Sequence, residues 1–289
     1  MAPLVVIVGP TASGKTAAAI EFAYKHNGEI ICADSRTVYK GMEIGTAKPT
    51  AEERAKVPHW GIDLVHPNER FTVADFKTYA VQKIAEIQAR GKVPVMVGGT
   101  GLYVDAVVLD YQFGPHADEN RRKELERKTL QELKIYCFEH NIKLPENHQN
   151  KRYVIRAIEQ KGVINSSKSS PIDNTIVVGI ATEKAILRAR IAQRSLQMFS
   201  QGVLSEADAL SVEYGWDNEA MTGSIYRLIR KFRSEEINEQ QLHEQNEIAD
   251  WHLAKRQLTW LKRRDFIYWL PLEQVVPYLS DRLAHVNKK

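Results

Sequence analysis

The chain has 289 residues, 43% of them apolar and 26% charged; this is enough to build one large or two modest cores and too apolar for a disordered chain. No window approaches about 18 consecutive apolar residues, which excludes a membrane-spanning helix. Two cysteines, Cys32 and Cys137, exclude a disulfide framework or an unaided zinc site and suit a reducing, cytoplasmic setting. The formal charge of +4 names no partner. Its distribution is more informative. Residues 227–233 carry Arg227, Arg230, Lys231 and Arg233, and residues 255–264 carry Lys255, Arg256, Lys262, Arg263 and Arg264, with no acid in either block. Such blocks suit a polyanion such as RNA backbone, or equally a solvated helix face.

The opening residues have no basic stretch before their apolar run, so 4–8 read as a buried strand leading into a glycine loop rather than as a signal peptide. Residues 15–24, rich in alanine and free of breakers, read as a helix. Further strands are predicted at 29–33, 62–65 and 93–97. Between the last two, 73–90 has helical periodicity, with Thr72 as N-cap and Gly91 as C-cap. Strands alternating with helices imply parallel βαβ units, with ligands at the carboxyl ends of the strands. From 118 to about 162 the chain is charged, helical and strand-poor. A loop at 166–171 precedes a strand at 175–180. Amphipathic helix then dominates 183–265, before a last strand at 266–270 and a terminal helix.

Gly9, Pro10, Thr11, Ala12, Ser13, Gly14, Lys15 and Thr16 match G-x-x-x-x-G-K-[ST] in full, with a strand before and a helix after. In that pattern backbone N–H groups turn inward around phosphate oxygens, the helix start adds positive potential, Lys15 supplies a point charge and Thr16 can ligate Mg²⁺. The predicted fold is therefore α/β: a P-loop NTPase-like core of parallel sheet flanked by helices, built from 1–114 and 175–289. A mostly helical insertion at 115–174 interrupts it. Ordinary P-loop ATPases also carry an apolar strand ending in Asp to hold Mg²⁺, whereas the strand at 93–97 ends in Gly98-Gly99-Thr100 and no N-K-x-D is present. Group transfer from a phosphorylated substrate fits this better than a conformational motor.

The strand at 29–33 delivers Asp34-Ser35-Arg36-Thr37 beside the phosphate loop. Two roles fit Asp34 there: general base for an attacking nucleophile, or cap of the next turn.

The stretches GPTASGKT (9–16), DSRTVYKGMEIGTAKP (34–49), PHWGIDLVHPNERFTVADF (58–76) and VPVMVGGTGLY (93–103) resemble the tRNA dimethylallyltransferases, also called tRNA isopentenyltransferases. So do VIRAIE (154–159), RARIAQRSLQMFSQGVLSE (188–206) and AKRQLTWLKR (254–263). These run in family order over nearly the whole chain, and no zinc-finger extension follows, as in the bacterial type. The resemblance implies transfer of a dimethylallyl group from dimethylallyl diphosphate to N6 of adenine at tRNA position 37, next to the anticodon. The partners it implies are Mg²⁺ and the anticodon stem-loop of tRNA, with no membrane and no obligate protein partner; monomer is the default.

By the same resemblance, Asp34 is the base, residues 9–16 hold the diphosphate, and an arginine on the RARIAQR segment reaches it, Arg194 in preference to Arg190. Asp34, Ser35, Arg36, Thr37, Thr100 and Arg122 map onto tRNA contacts. Arg152 and Arg156 share a helix face at i, i+4 spacing that suits phosphates, or pairs with local acids such as Glu159. Thr100 meets the flipped base or is a turn residue; Trp260 is a core tryptophan in preference to a stacking platform. The sequence departs from the family pattern at Tyr153, Ile225 and Trp251, and in its short insertion.

Overall fold

A computed structural model describes residues 1–114, 118–160 and 167–286. β1 (Leu4–Val8) is the apolar run LVVIV, buried along its whole length. Next come α1 (Lys15–Lys25), β2 (Gly28–Cys32), α2 (Ala51–Lys56), β3 (His59–Trp60), α3 (Val73–Ala89), β4 (Val93–Gly98) and α4 (Gly101–Val108). α3 starts where predicted: the Thr72 hydroxyl accepts the Asp75 amide and the Asp75 carboxylate accepts the Thr72 amide, a reciprocal capping box. The helices α5 (Glu119–Arg127), α6 (Leu130–Glu139) and α7 (Lys151–Glu159) follow. The chain ends with β5 (Thr175–Ala181), α8 (Lys184–Ser200), α9 (Val203–Tyr214), α10 (Ser224–Arg233), α11 (Glu239–Leu261), β6 (Tyr268–Pro271) and α12 (Leu272–Val286).

The strands form a six-stranded sheet in the order β3-β2-β4-β1-β5-β6, and every pairing is parallel. Near-continuous apolar strands of this kind are covered on both faces. Val5, Ile7, Ile30, Val95, Val178 and their neighbours pack against α1 and α12. Intervening residues such as Val6, Ile31 and Met96 are equally buried and point the other way, toward the face where α3 and α4 pack. The chain divides into two compact units, Met1–Leu109 with Ser170–Lys289, and Asp110–Ser169. Among the described residues no helix is long and apolar enough to cross a membrane.

Three expectations change. The strand expected at 62–65 is absent; β3 lies at His59–Trp60 and pairs with Ile30 and Ile31. Gly61 and Asp63 have φ of 80° and 54°, which breaks extended backbone, and only a Tyr39–Val65 bridge remains there. β2 does not adjoin β1, because β4 lies between them. The last strand begins at Tyr268 rather than at 266. The insertion boundary at 115 and the helix end near 162 lie outside the described residues.

The smaller unit closes its own core around Leu125, Leu133, Cys137, Val154, Ile155 and Ile158. Asp118, Thr129 and Asn150 cap its three helices by accepting backbone amides.

Candidate active site

The loop between β1 and α1 is tightly determined. The Ser13 amide donates to the Pro10 carbonyl at 3.2 Å, and the Thr11 amide donates to Gln257 Oε1 at 2.7 Å. Ala12 sits at φ 61°, a left-handed conformation that costs a non-glycine residue about 1–2 kcal/mol; it packs against Leu187, Ile191 and Ala254. Gly14, the N-cap of α1, has φ 89°, and a Cβ there would lie 2.8 Å from Leu272 Cδ2. Among the described residues, the amides of Gly14, Lys15 and Thr16 have no protein acceptor, so an anion is their natural partner. Ser13 Oγ is buried and unpartnered. Lys15 Nζ donates to the Pro10 carbonyl at 3.2 Å. Burial pulls its pKa down to about 8, with the Asp34 carboxylate opposing that shift and the Arg194 charge reinforcing it.

Across β4, β2 delivers Asp34. Its Oδ1 accepts the Arg36 amide at 2.8 Å, so the carboxylate does cap its own turn, and Oδ2 has no partner among the described residues. The Ser35 amide donates to Thr100 Oγ1 at 3.1 Å, and the Thr37 hydroxyl donates to the Asp34 carbonyl at 3.3 Å. The Arg36 guanidinium is occupied, donating to the carbonyls of Glu219 and Ala220 at 3.0 and 3.4 Å and to Thr222 Oγ1 at 3.2 Å.

The intervening strand does not separate these groups, because β4 ends in two glycines. A Cβ on Gly98 would lie 2.0 Å from the Ala33 carbonyl oxygen, and one on Gly99 would lie 2.3 Å from Gln257 Nε2. Gly98 therefore admits no side chain, and one at Gly99 would have to displace Gln257. Thr11, Ala12, Gly14, Lys15, Thr16 and Asp34 line a cavity of about 750 Å³, together with Ser35, Arg36, Thr37 and Thr100. Gly9, Pro10 and Ser13 lie behind that lining.

Both candidate arginines on α8 reach the loop. Arg194 donates from Nη1 to Thr11 Oγ1, whereas Arg190 donates to the Ser13 carbonyl at 3.2 Å. Arg194 also stands 4.0 Å from the buried Asp250 carboxylate, and its Nε is buried without a partner. Burial holds the Asp250 carboxyl above the usual range, with the Arg194 charge working against that.

Among the described residues no group of three or more His, Cys, Asp or Glu side chains could cage a metal. The donor set nevertheless fits Mg²⁺, which keeps its waters and takes one or two protein oxygens plus substrate phosphates: Thr16 lies on the cavity wall beside the unpartnered amides.

Sequence reasoning gave no role to several residues that build the site. Glu206 on α9 accepts the amides of Glu43, Ile44 and Gly45 at 2.7 to 2.8 Å and the Tyr226 hydroxyl at 2.8 Å, clamping a loop whose Gly45, Thr46 and Ala47 form one wall of the cavity. Gln257 and Asp250 also line it, and so do Arg227 and Arg256 from the two basic blocks. The sequence carried little signal for Gln257 and Asp250, because polar residues interrupt the buried stripe of α11 and blunt its apolar periodicity. Trp260 takes its structural option: its Nε1 donates to Asp105 Oδ2 at 2.7 Å, and its ring lies against Gly101. Trp251 receives the Arg188 guanidinium 4.7 Å from its ring centroid.

Acid-free stretches of sequence are not acid-free in space. Arg230 pairs with Asp217 at 2.7 Å, Arg233 with Asp208 at 2.5 Å and Arg264 with the buried Asp105 at 2.7 Å. In the smaller unit, Arg122 and Arg156 both turn to Glu159, at 3.2 and 3.6 Å, while Arg152 is exposed.

Comparison with known proteins supplies the family. The IPP transferase family profile matches residues 37–264, and the isopentenyl transferase profile matches residues 2–64. The tRNA dimethylallyltransferase of Staphylococcus haemolyticus is 37% identical, over 99% of this chain and 92% of the relative. That of Acetivibrio thermocellus is 40% identical, over 92% of this chain and 91% of the relative. The crystal structure of the tRNA isopentenylpyrophosphate transferase from Bacillus halodurans superposes with a TM-score of 0.76 at 34% identity, covering 100% of this chain and 99% of that one. A eukaryotic dimethylallyltransferase solved acting on tRNA shares the fold, with a TM-score of 0.78 at 23% identity, over 94% of this chain and 74% of that one. The chain belongs to the IPP transferase family.

Proposed function

We propose that this chain is a tRNA dimethylallyltransferase: it moves the dimethylallyl group of dimethylallyl diphosphate onto N6 of adenine 37 in tRNA, giving N6-dimethylallyladenosine and diphosphate. The observation that carries this reading is one cavity lined both by the phosphate loop, with its unpartnered amides and Lys15, and by Asp34, with the end of β4 at Gly98 between the two strands that carry them.

An exocyclic adenine amine is a weak nucleophile, because its lone pair is delocalised into the ring. As N6 attacks C1 of the allyl group, Asp34 takes the N6 proton on the oxygen that the Arg36 amide leaves free. The C1–O bond breaks and its electron pair passes to the diphosphate oxygen. Lys15, the amides of Gly14, Lys15 and Thr16, and Arg194 through the Thr11 side stabilise that developing charge. The Thr16 hydroxyl would hold Mg²⁺, which would supply further charge neutralisation when bound.

The adenine must leave its stack to enter the cavity. Thr100, fixed by the Ser35 amide, lies where the base arrives, and Arg227 and Arg256 provide cations on the cavity wall for the flanking phosphates. The helical unit with Arg122, Arg152 and Arg156 belongs to the RNA-gripping part of the enzyme. The reading carries with it a monomeric, cytoplasmic protein.

The test incubates the protein with dimethylallyl diphosphate, Mg²⁺ and tRNA and analyses nucleosides by mass spectrometry. N6-dimethylallyladenosine beside the anticodon is the expected product. Unmodified adenosine in every tRNA defeats the reading, and modified free AMP would replace it with a nucleotide-directed transferase.

A further inference from the structure

α11 turns a polar stripe inward. Asn246, Asp250 and Gln257 are only 0%, 5% and 9% exposed, and burying such side chains is unfavourable unless each finds a partner. Asn246 Nδ2 donates to Ser195 Oγ on α8 at 2.9 Å. Asp250 faces Arg194, whose guanidinium donates to the Thr11 hydroxyl. Gln257 accepts the Thr11 amide directly at 2.7 Å. The Thr11 amide is therefore held from α11 by Gln257, and its hydroxyl from α8 by Arg194.

The Nε2 end of the Gln257 amide lies against Gly99. A Cβ on Gly99 would come within 2.3 Å of Gln257 Nε2 and 3.2 Å of the Gly9 carbonyl oxygen. The glutamine is thus wedged between the phosphate loop and the turn that carries Thr100. One turn further along, Trp260 anchors the same helix to Asp105 on α4, and Arg264, just past the helix end, donates to the same carboxylate.

We propose that Gln257 is a positioning residue for the diphosphate loop: it removes the Thr11 amide from the phosphate-facing set and fixes the spacing between that loop and the Thr100 turn. The proposal deepens the reading of the loop as the diphosphate site and rests on it. With Thr11 tied back, the set that meets the anion is Gly14, Lys15 and Thr16, whose amides have no other partner among the described residues. Freed from Gln257, the Thr11 amide competes for the anion, and the loop loses the single geometry in which Lys15 and the helix start converge.

The test compares wild type with Gln257→Met, which keeps length and packing but loses the acceptor, and with Gln257→Ala as a second variant. Inorganic diphosphate binding in magnesium buffer is measured by calorimetry, and kcat and KM are measured for each substrate. Gln257→Met should bind diphosphate about 3- to 10-fold more weakly, the equivalent of one neutral hydrogen bond. The donor KM should rise by the same factor while the tRNA KM holds, and the melting temperature should fall modestly in both variants because the buried Thr11 amide loses its acceptor. Unchanged diphosphate binding and donor KM in both variants would overturn the proposal. So would a raised tRNA KM with unaltered donor binding, which would make Gln257 an RNA contact. If wild-type protein modifies no adenine yet Gln257→Met still weakens diphosphate binding, the prenyl-transfer reading fails and the positioning role stands.

Discussion

The Thr100 hydroxyl accepts the backbone amide of Ser35 at 3.1 Å, so the turn after β4 and the turn after β2 are one mechanical unit. Asp34 precedes that amide and inherits its position. Thr100→Val should therefore lower kcat by about 10-fold, a loss of roughly one hydrogen bond at a placed group, while Thr100→Ser retains most activity. Equal turnover in the valine variant and wild type would remove Thr100 from the assembly of the site.

Asp34→Asn keeps an oxygen for the Arg36 amide and deletes the charge, which isolates the chemical role from the structural one. Turnover should fall by about 10²- to 10⁴-fold while tRNA binding persists, as read by single-turnover kinetics beside a filter-binding assay. An unaltered rate would take Asp34 out of the base role.

Lys15 titrates at about 8 in the fold, against 10.5 for an ordinary lysine. Its charged form is the disfavoured one in the native state. The burial cost is therefore present in full below about pH 8 and relieved as pH rises from there toward 10.5. Ligand binding runs the opposite way, because diphosphate attracts the ammonium. Diphosphate affinity should fall as pH passes 8 in wild type, and Lys15→Arg should lack that break because arginine stays charged. Calorimetric titrations from pH 7 to 9 compare the two; the same profile in both would exclude Lys15 as its source.

Cations with partners and cations without should behave differently toward RNA. tRNA affinity should drop steeply with salt, and Arg256→Ala should reduce the slope of log K against log salt by about one. Arg230→Ala should change the slope less, since Arg230 is paired with Asp217. A flat salt profile in wild type would show that the basic helices do not meet the RNA backbone.

Glu206→Ala leaves three consecutive loop amides and the Tyr226 hydroxyl without their acceptor. The loss should be about 2 kcal/mol of stability, read from the urea midpoint, together with a raised KM for both substrates as the cavity wall loosens. A stable variant with wild-type KM would show that the clamp is dispensable.

Contiguous chemistry was legible in the sequence. The phosphate loop, its flanking strand and helix, the Thr72 capping box and Asp34 at a strand end all depend on neighbours within a few residues. Strand order was not legible, because periodicity identifies a strand without naming its partner, and β4 was not anticipated between β1 and β2. The strand expected at 62–65 failed for a local reason that hydrophobicity does not report: left-handed backbone at Gly61 and Asp63. Gln257 and Glu206 escaped because their partners lie 246 and about 160 residues away. The basic blocks looked unopposed for the same reason, their acids Asp217, Asp208 and Asp105 being contributed by other segments.

The crowding at Gly98 also bears on how this scaffold can change. Motor and signalling relatives of the phosphate loop depend on an acidic side chain at the tip of a core strand to manage hydrolysis. Here a Cβ at that tip, on Gly98, would lie only 2.0 Å from the Ala33 carbonyl oxygen, too close for even a methyl group. Retrofitting the missing acid by a point substitution would prise β2 from β4 and carry off the carboxylate that the transfer reaction uses. A carboxylate for nucleotide hydrolysis would have to enter this scaffold from a position other than Gly98.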